Sequence, residues 1–279
     1  MPETIWYLLA ITLITAAPVH PLPSSHARAH PPAAAVKRPS PPRFAGGTFD
    51  TTLAALPSHF LGHNIAGTYQ WLHSRLGKDE FESSDAFRER VNGLAAPVSV
   101  YAFWLEDNYN TYDADRSIMM VHISTSEFLS QPVGETVPAT ESDKRTSIKV
   151  LFDVVSTETY VGSNAYGATV EVTRSSVDDY EVLPVGSDFD PSLALSFPLA
   201  PSRARLLHDR LKVLLVCQLV RPDDGEPLVW EGFLSGNPTF ANPTELLCSV
   251  CYLNARVIGL WVCDKASGEI LYKYTPPSS

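Results

Sequence analysis

The sequence predicts an α+β fold, with N-terminal helices followed by a mostly antiparallel β-rich body. Three observations predict it. Apolar residues recur at intervals of three and four between residues 50 and 93. After Pro97 the apolar period drops to two. From there to residue 279 one alternating segment follows another, with a single short helical stretch near 202–211.

The first element, residues 1–29, has the character of an export signal. An apolar block runs from Ile5 to Ala17, short of the roughly 20 residues a membrane-spanning helix needs and within the range of a signal-peptide core. Small residues set up cleavage at Ala27 or Ala29. The leader MPET departs from the usual pattern, because it holds Glu3 and no Lys or Arg. The expected location is the periplasm or the extracellular space. Residues 30–46 are rich in Pro and Ala with few large apolar side chains, so they form a linker rather than a core.

Residues 47–96 form the predicted helical region. Leu53, Leu56, Phe60 and Leu61 open the pattern, Ile65, Tyr69, Leu72 and Leu76 repeat it, and Phe81, Phe87, Val91 and Leu94 continue it. Ser84-Asp85 suits a helix cap. Residues 97–279 form the β-rich domain. VSVYAFWLED and SIMMVHIST flank a polar turn cluster, NYNTYDADR. SIKVLFDVVS, YGATVEVTRS, YEVLPV, LALSF, KVLLVCQLV, VWEGFLS, ELLCSVCYL, ARVIGLWVCD and EILYKY follow as strands. KASG joins the last two as a hairpin, and a second hairpin is expected to turn near Asn254-Ala255.

Within KDEFESSDAFRERV, the residues Asp79, Glu80, Phe81, Glu82, Ser83, Ser84, Phe87 and Arg90 resemble a recurring segment of uncharacterised exported bacterial proteins. There it sits between an N-terminal helical region and a β-rich part. The resemblance implies export and this architecture, and carries no activity. Physically, Phe81 and Phe87 lie six apart and would not share a face of one helix. A turn at Glu82-Ser83 lets both pack inward, with Glu82 or Glu89 pairing to Arg88 or Arg90 at no more than about 1 kcal/mol.

The cysteines are Cys217, Cys248, Cys251 and Cys263. An even count in an exported chain favours disulfides. On a strand, Cys248 and Cys251 point to opposite faces with Cα atoms about 10 Å apart, beyond the roughly 7 Å a disulfide tolerates. Two pairings remain: Cys217–Cys248 with Cys251–Cys263, or Cys217–Cys251 with Cys248–Cys263. Buried free thiols are the alternative. A structural zinc site would need a second close-spaced couple, and a redox site would need a cysteine exposed at a helix N-terminus.

The chain carries −10. Residues 1–43 hold one acid, Glu3, against Arg28, Lys37, Arg38 and Arg43, so the rest is more acidic than the whole. That excludes nucleic acid as the expected partner. His59 and His63 have helical ligand spacing, but Phe60 replaces the Glu of a zinc-protease motif. Asp107, Asn110, Asp113 and Asp115, and Asp188 with Asp190, read as turns rather than calcium loops. VGSNAYG lacks the nucleophile-elbow spacing, and adjacent carboxylates such as Asp178-Asp179 do not make a glycosidase pair. Arg203, Arg205, Arg210 and Lys212 surround the short helix as a basic cluster. No cofactor signature appears. The sequence therefore points to an exported, non-enzymatic binding module whose partner is an envelope component or another protein. The alternatives are a hydrolase assembling His122 or His208 with a serine and a carboxylate, and a metal-binding protein.

Overall fold

A computed structural model of the chain describes residues 45–76, 79–92, 99–129, 144–164, 166–186, 190, 194–221 and 228–277. Among them the elements run, in order, α1 (Ile65–Leu76), α2 (Ser84–Asn92), β1 (Tyr101–Trp104), β2 (Asn108–Asp113), β3 (Ile118–Ile123), β4 (Thr125–Leu129), β5 (Lys144–Ser163), β6 (Thr169–Pro184), β7 (Leu195–Pro198), α3 (Pro201–Leu207), β8 (Leu211–Leu219), β9 (Val229–Gly236), β10 (Thr244–Asp264) and β11 (Ile270–Tyr274). The expected signal peptide with its cleavage at Ala27 or Ala29, and most of the linker, lie outside the described residues.

The α+β expectation is corrected: among the described residues strands account for 54% and helices for 13%, which makes the fold mostly β, with two sheets. Helical spacing before residue 64 misled, because Leu53, Leu56 and Phe60 sit on an irregular strap, residues 45–60. Their apolar side chains are spent covering a sheet face rather than forming one stripe of a helix. Phe49 and Leu56 pack with Ala102, Leu214, Val216, Trp261 and Cys263. The strap is fastened where Leu56 N–H donates to Gly268 O at 2.8 Å and Ala55 bridges Glu269.

Helix α1 does form where the spacing predicts it. Asn64 caps it, with Oδ1 accepting the Gly67 N–H at 3.1 Å. Ile65, Tyr69 and Leu72, spaced four and three apart, turn inward.

The large sheet runs β1-β8-β10-β6-β5-β4, with β9 and β11 also on β10. Every described ladder is antiparallel except β6 with β10, which is parallel. Asn254 receives from Val220 N–H on its carbonyl and donates its own N–H to Leu228 O. Both groups of a strand residue point to one side, so β8 and β9 lie end to end along the same edge of β10. A second sheet, β2-β3-β7, is small. The main core lies between the sheets, beneath α1 and α3. Bulges let long strands keep feeding it. At the shift between Val257 and Gly259 the inward parity changes, from Leu253, Ala255 and Val257 to Leu260 and Val262.

Candidate functional site

The four cysteines do not converge. β10 is one strand of 21 residues, so the hairpin expected near Asn254-Ala255 does not form. Cys248, Cys251 and Cys263 lie along that single strand, and Cys217 sits opposite Val257. At about 3.3 Å per residue, Cys251 and Cys263 are some 40 Å apart and Cys217 is about 20 Å from either. Neither proposed pairing is possible. All four are buried free thiols. Burial pushes Cys251 and Cys263 up to about 12 and raises Cys217 and Cys248 as well, which removes the thiolate that redox chemistry needs.

In the 79–90 segment the ion pair forms. Arg90 Nε and Nη2 donate to Glu82 Oε1 and Oε2, each at 2.8 Å, and Arg90 also reaches Arg75 O. Asp79 Oδ1 accepts Phe81 N–H. Ser83, rather than Ser84 or Asp85, caps α2 by accepting the Ala86 N–H. Phe81 does not pack inward as expected, being 91% exposed, while Phe87 is half-buried beside Arg90. Glu80 is exposed. The segment is a hydrogen-bonded corner.

The histidines carry no catalytic constellation among the described residues. His63 is buried, accepting Ala102 N–H on Nδ1 and placing Nε2 2.8 Å from Gly47 O. This bonding fixes the neutral tautomer with the proton on Nε2. His59 lies at φ 60, outside any helix. His122 stacks on Tyr109, and His208 contacts its neighbour Asp209 at 2.9 Å. The turn expected over NYNTYDADR is largely strand β2; only its end turns, where Asp113 Oδ1 accepts the N–H groups of Asp115 and Arg116, while Asn164 closes the β5–β6 turn. The basic cluster disperses: Arg203 pairs Glu269, Arg210 pairs Asp264, and Lys212 turns to Glu106 O. No group of three His, Cys, Asp or Glu is placed to hold a metal among the described residues.

One titratable cluster escapes sequence reading. Asp179 and Glu181 alternate on β6, so both side chains leave the same face, and both are buried. Glu181 accepts from Ser126 and Ser147, and Lys149 lies 3.1 Å from Asp179 and 3.9 Å from Glu181. Burial, reinforced by Asp179, holds the Glu181 carboxyl above the usual range, against the hydroxyls and Lys149. Asp179 Oδ1 has no hydrogen-bond partner among the described residues, and Asp179 borders a void of about 10 Å³, the size of one water. The signal was the pair two apart on a strand, Asp-Tyr-Glu, rather than the adjacent Asp178-Asp179.

Two features remain open to solvent. The first is a cavity of about 460 Å³ bordered by α1, β1, β5, β8 and the turn after β10. The apolar lining that solvent reaches is Leu61, Trp104 and Leu151, over the buried Phe103 and Leu105, and Lys212 and Lys265 stand on its wall. Lys265 Nζ lies 5.6 Å from the Trp104 ring centre. The second is a four-stranded blade formed by β5 and β6 beyond residue 151, β9, and the first half of β10. Register places Leu234, Cys248, Val177 and Val154 in one apolar row across it. Leu234 is 62% and Val154 54% exposed, and Phe152 and Leu246 lie on the same face.

The blade carries seven carboxylates, Asp153, Glu158, Glu171, Asp178, Asp179, Glu231 and Glu245, against Arg174. Glu158 and Glu245 neutralise that arginine at 3.0 and 2.8 Å. No protein family, curated protein or solved structure matches the chain.

Proposed function

We propose that the protein is an exported, non-enzymatic interaction module that docks a cationic, partly apolar polypeptide on its blade. The observation that carries this is the set of exposed apolar side chains on one face of the blade, Leu234, Leu246, Phe152 and Val154, flanking the buried Cys248 and Val177. Contiguous exposed apolar surface marks interaction sites. The blade's acidic balance chooses the partner, because it repels anionic lipid and nucleic acid and attracts Lys and Arg. Asp153, Asp178, Glu231 and Glu245 alternate with the row residues and leave the opposite face, so they act on a chain added at the β5 edge rather than on the row itself. Along β5, residues 152–163 bond β6 on one side, and no described strand covers the other. An extended chain can add there as a further strand.

Export to the periplasm or beyond rests on the apolar block and small residues of positions 1–29. Among the described residues no helix is long and apolar enough to cross a membrane. Buried thiols suit an oxidising compartment, since an inaccessible sulfur is not oxidised.

The test is selection of random 12-residue peptides on the purified protein, followed by titration of the winners. Enriched peptides should combine Lys or Arg with aliphatic or aromatic residues and bind the double variant Val154→Ser, Leu234→Ser at least tenfold more weakly. Acidic winners, or unchanged binding to that folded variant, would overturn the reading. Fractionation of a native host with intact-mass measurement tests location: a full-length chain in the cytosol refutes export.

A further inference from the structure

We propose that the cavity over Phe103 and Leu105 is a binding site for a small organic anion with an apolar body, such as an aryl or alkyl carboxylate. It shares no lining residue with the blade, so it stands apart from the function proposed above. Its volume, about 460 Å³, falls within the range of small-molecule sites.

Charge sets the ligand's sign. This is an acidic chain at −10, and several of its cations are held by carboxylates: Arg90 by Glu82, Lys149 by Asp179, Arg174 by Glu245, Arg203 by Glu269 and Arg210 by Asp264. Lys212 and Lys265 have no carboxylate partner among the described residues. Lys212 gives one proton to the Glu106 backbone carbonyl at 2.8 Å, which anchors the ammonium and leaves two donors for a ligand. Lys265 rests near the Trp104 ring. Glu106 also borders the cavity, so the wall holds two cations against one carboxylate.

The neutral groups fit binding rather than turnover. Both nitrogens of His63 are committed to the backbone, so it offers only its ring to the lining. The Trp104 Nε1–H is committed to Phe60 O at 3.1 Å, which fixes the indole. Asn64 spends its oxygen on the α1 cap and keeps its amide protons. An anion whose apolar part lies on Leu61, Trp104 and Leu151 would have both ammonium groups on the same cavity wall.

The experiment is calorimetric titration of the whole protein with 4-phenylbutyrate and, as a shape-matched cation, 4-phenylbutylamine. The carboxylate should bind saturably, one per chain, and the amine at least tenfold more weakly. Lys212→Gln with Lys265→Gln should weaken the carboxylate at least tenfold, with circular dichroism and the thermal midpoint checking that the variant is folded. Absence of saturable carboxylate binding at millimolar concentration overturns the proposal. Equal binding of the two ions to the unaltered protein does so without any variant. A folded double variant that binds undiminished places the anion elsewhere and also overturns it.

Discussion

Replacing Gly268 by Ala tests how the N-terminal strap is held. Gly268 sits at φ +78, and a Cβ there would lie 2.6 Å from Leu56 O and 3.3 Å from Leu56 C. The left-handed conformation costs an L-residue about 1–2 kcal/mol. The clash is with backbone, so only movement of the strap relieves it. That movement breaks the Leu56 N–H to Gly268 O bond, about 1 kcal/mol. It also uncovers part of Leu56, whose complete burial contributes about 1.5–3 kcal/mol. The expected loss is about 3–4 kcal/mol. Gly167 is the control, because at φ +80 it has nothing within 4 Å of the added carbon and Gly167→Ala should cost only the backbone strain. Equilibrium urea unfolding followed by tryptophan fluorescence measures both, since Trp261 packs against Phe49 of the strap. With a slope of about 2–3 kcal/mol/M, the midpoint of Gly268→Ala should lie roughly 1 M below that of Gly167→Ala. Equal midpoints would refute the steric argument and leave the strap loosely attached.

Glu181→Gln should stabilise the protein at pH 7. The folded-state pKa of Glu181 is raised, so the native state binds more protons and stability falls as pH climbs from about 4.3 through the folded value; urea midpoints across pH 4–8 should lose that decline in the variant. Asp264 has the opposite sign. Burial alone would raise its pKa, but bonds from Ser267, the Ala266 N–H and Arg210 outweigh it and hold the carboxylate low. Its contribution is complete above about pH 4 and is lost as pH falls through the lowered value, so Asp264→Asn should flatten the acid limb of the stability profile. The four thiols should resist a chromogenic disulfide reagent at pH 8 in the native protein and all react in denaturant, with the same count with or without prior reduction. Fewer than four after unfolding would contradict free cysteines.

Strand identity was legible wherever alternation was long, and turn chemistry marked the KASG reversal correctly. Continuity was not. Asn254-Ala255 looks like a turn, yet Asn254 is buried and bonded on its ladder, because β8 and β9 meet end to end beside it. No local signal announces a neighbour 26 residues back in the chain. The strap failed for a related reason, since Leu53, Leu56 and Phe60 share helical spacing while serving a surface made by β1, β8 and β10. The cavity was half visible: Lys212 belonged to the basic cluster, but Lys265 sits in a hairpin turn and joins it only through tertiary pairing. The blade's apolar row is a matter of register across four strands, which spacing within any one of them cannot reveal.

The parallel ladder of β6 and β10 has a consequence for biogenesis. It joins Thr173 to Thr244 and Pro184 to Ala255, contacts separated by about seventy positions along the chain. Such distant pairings form slowly, because the intervening polymer must be corralled first. A ribosome adding about 5–20 residues each second must finish β10 before the middle of the large sheet can exist. The earlier hairpin of β5 and β6 therefore waits with one flank uncovered, and this is the interval in which a chaperone would find the chain.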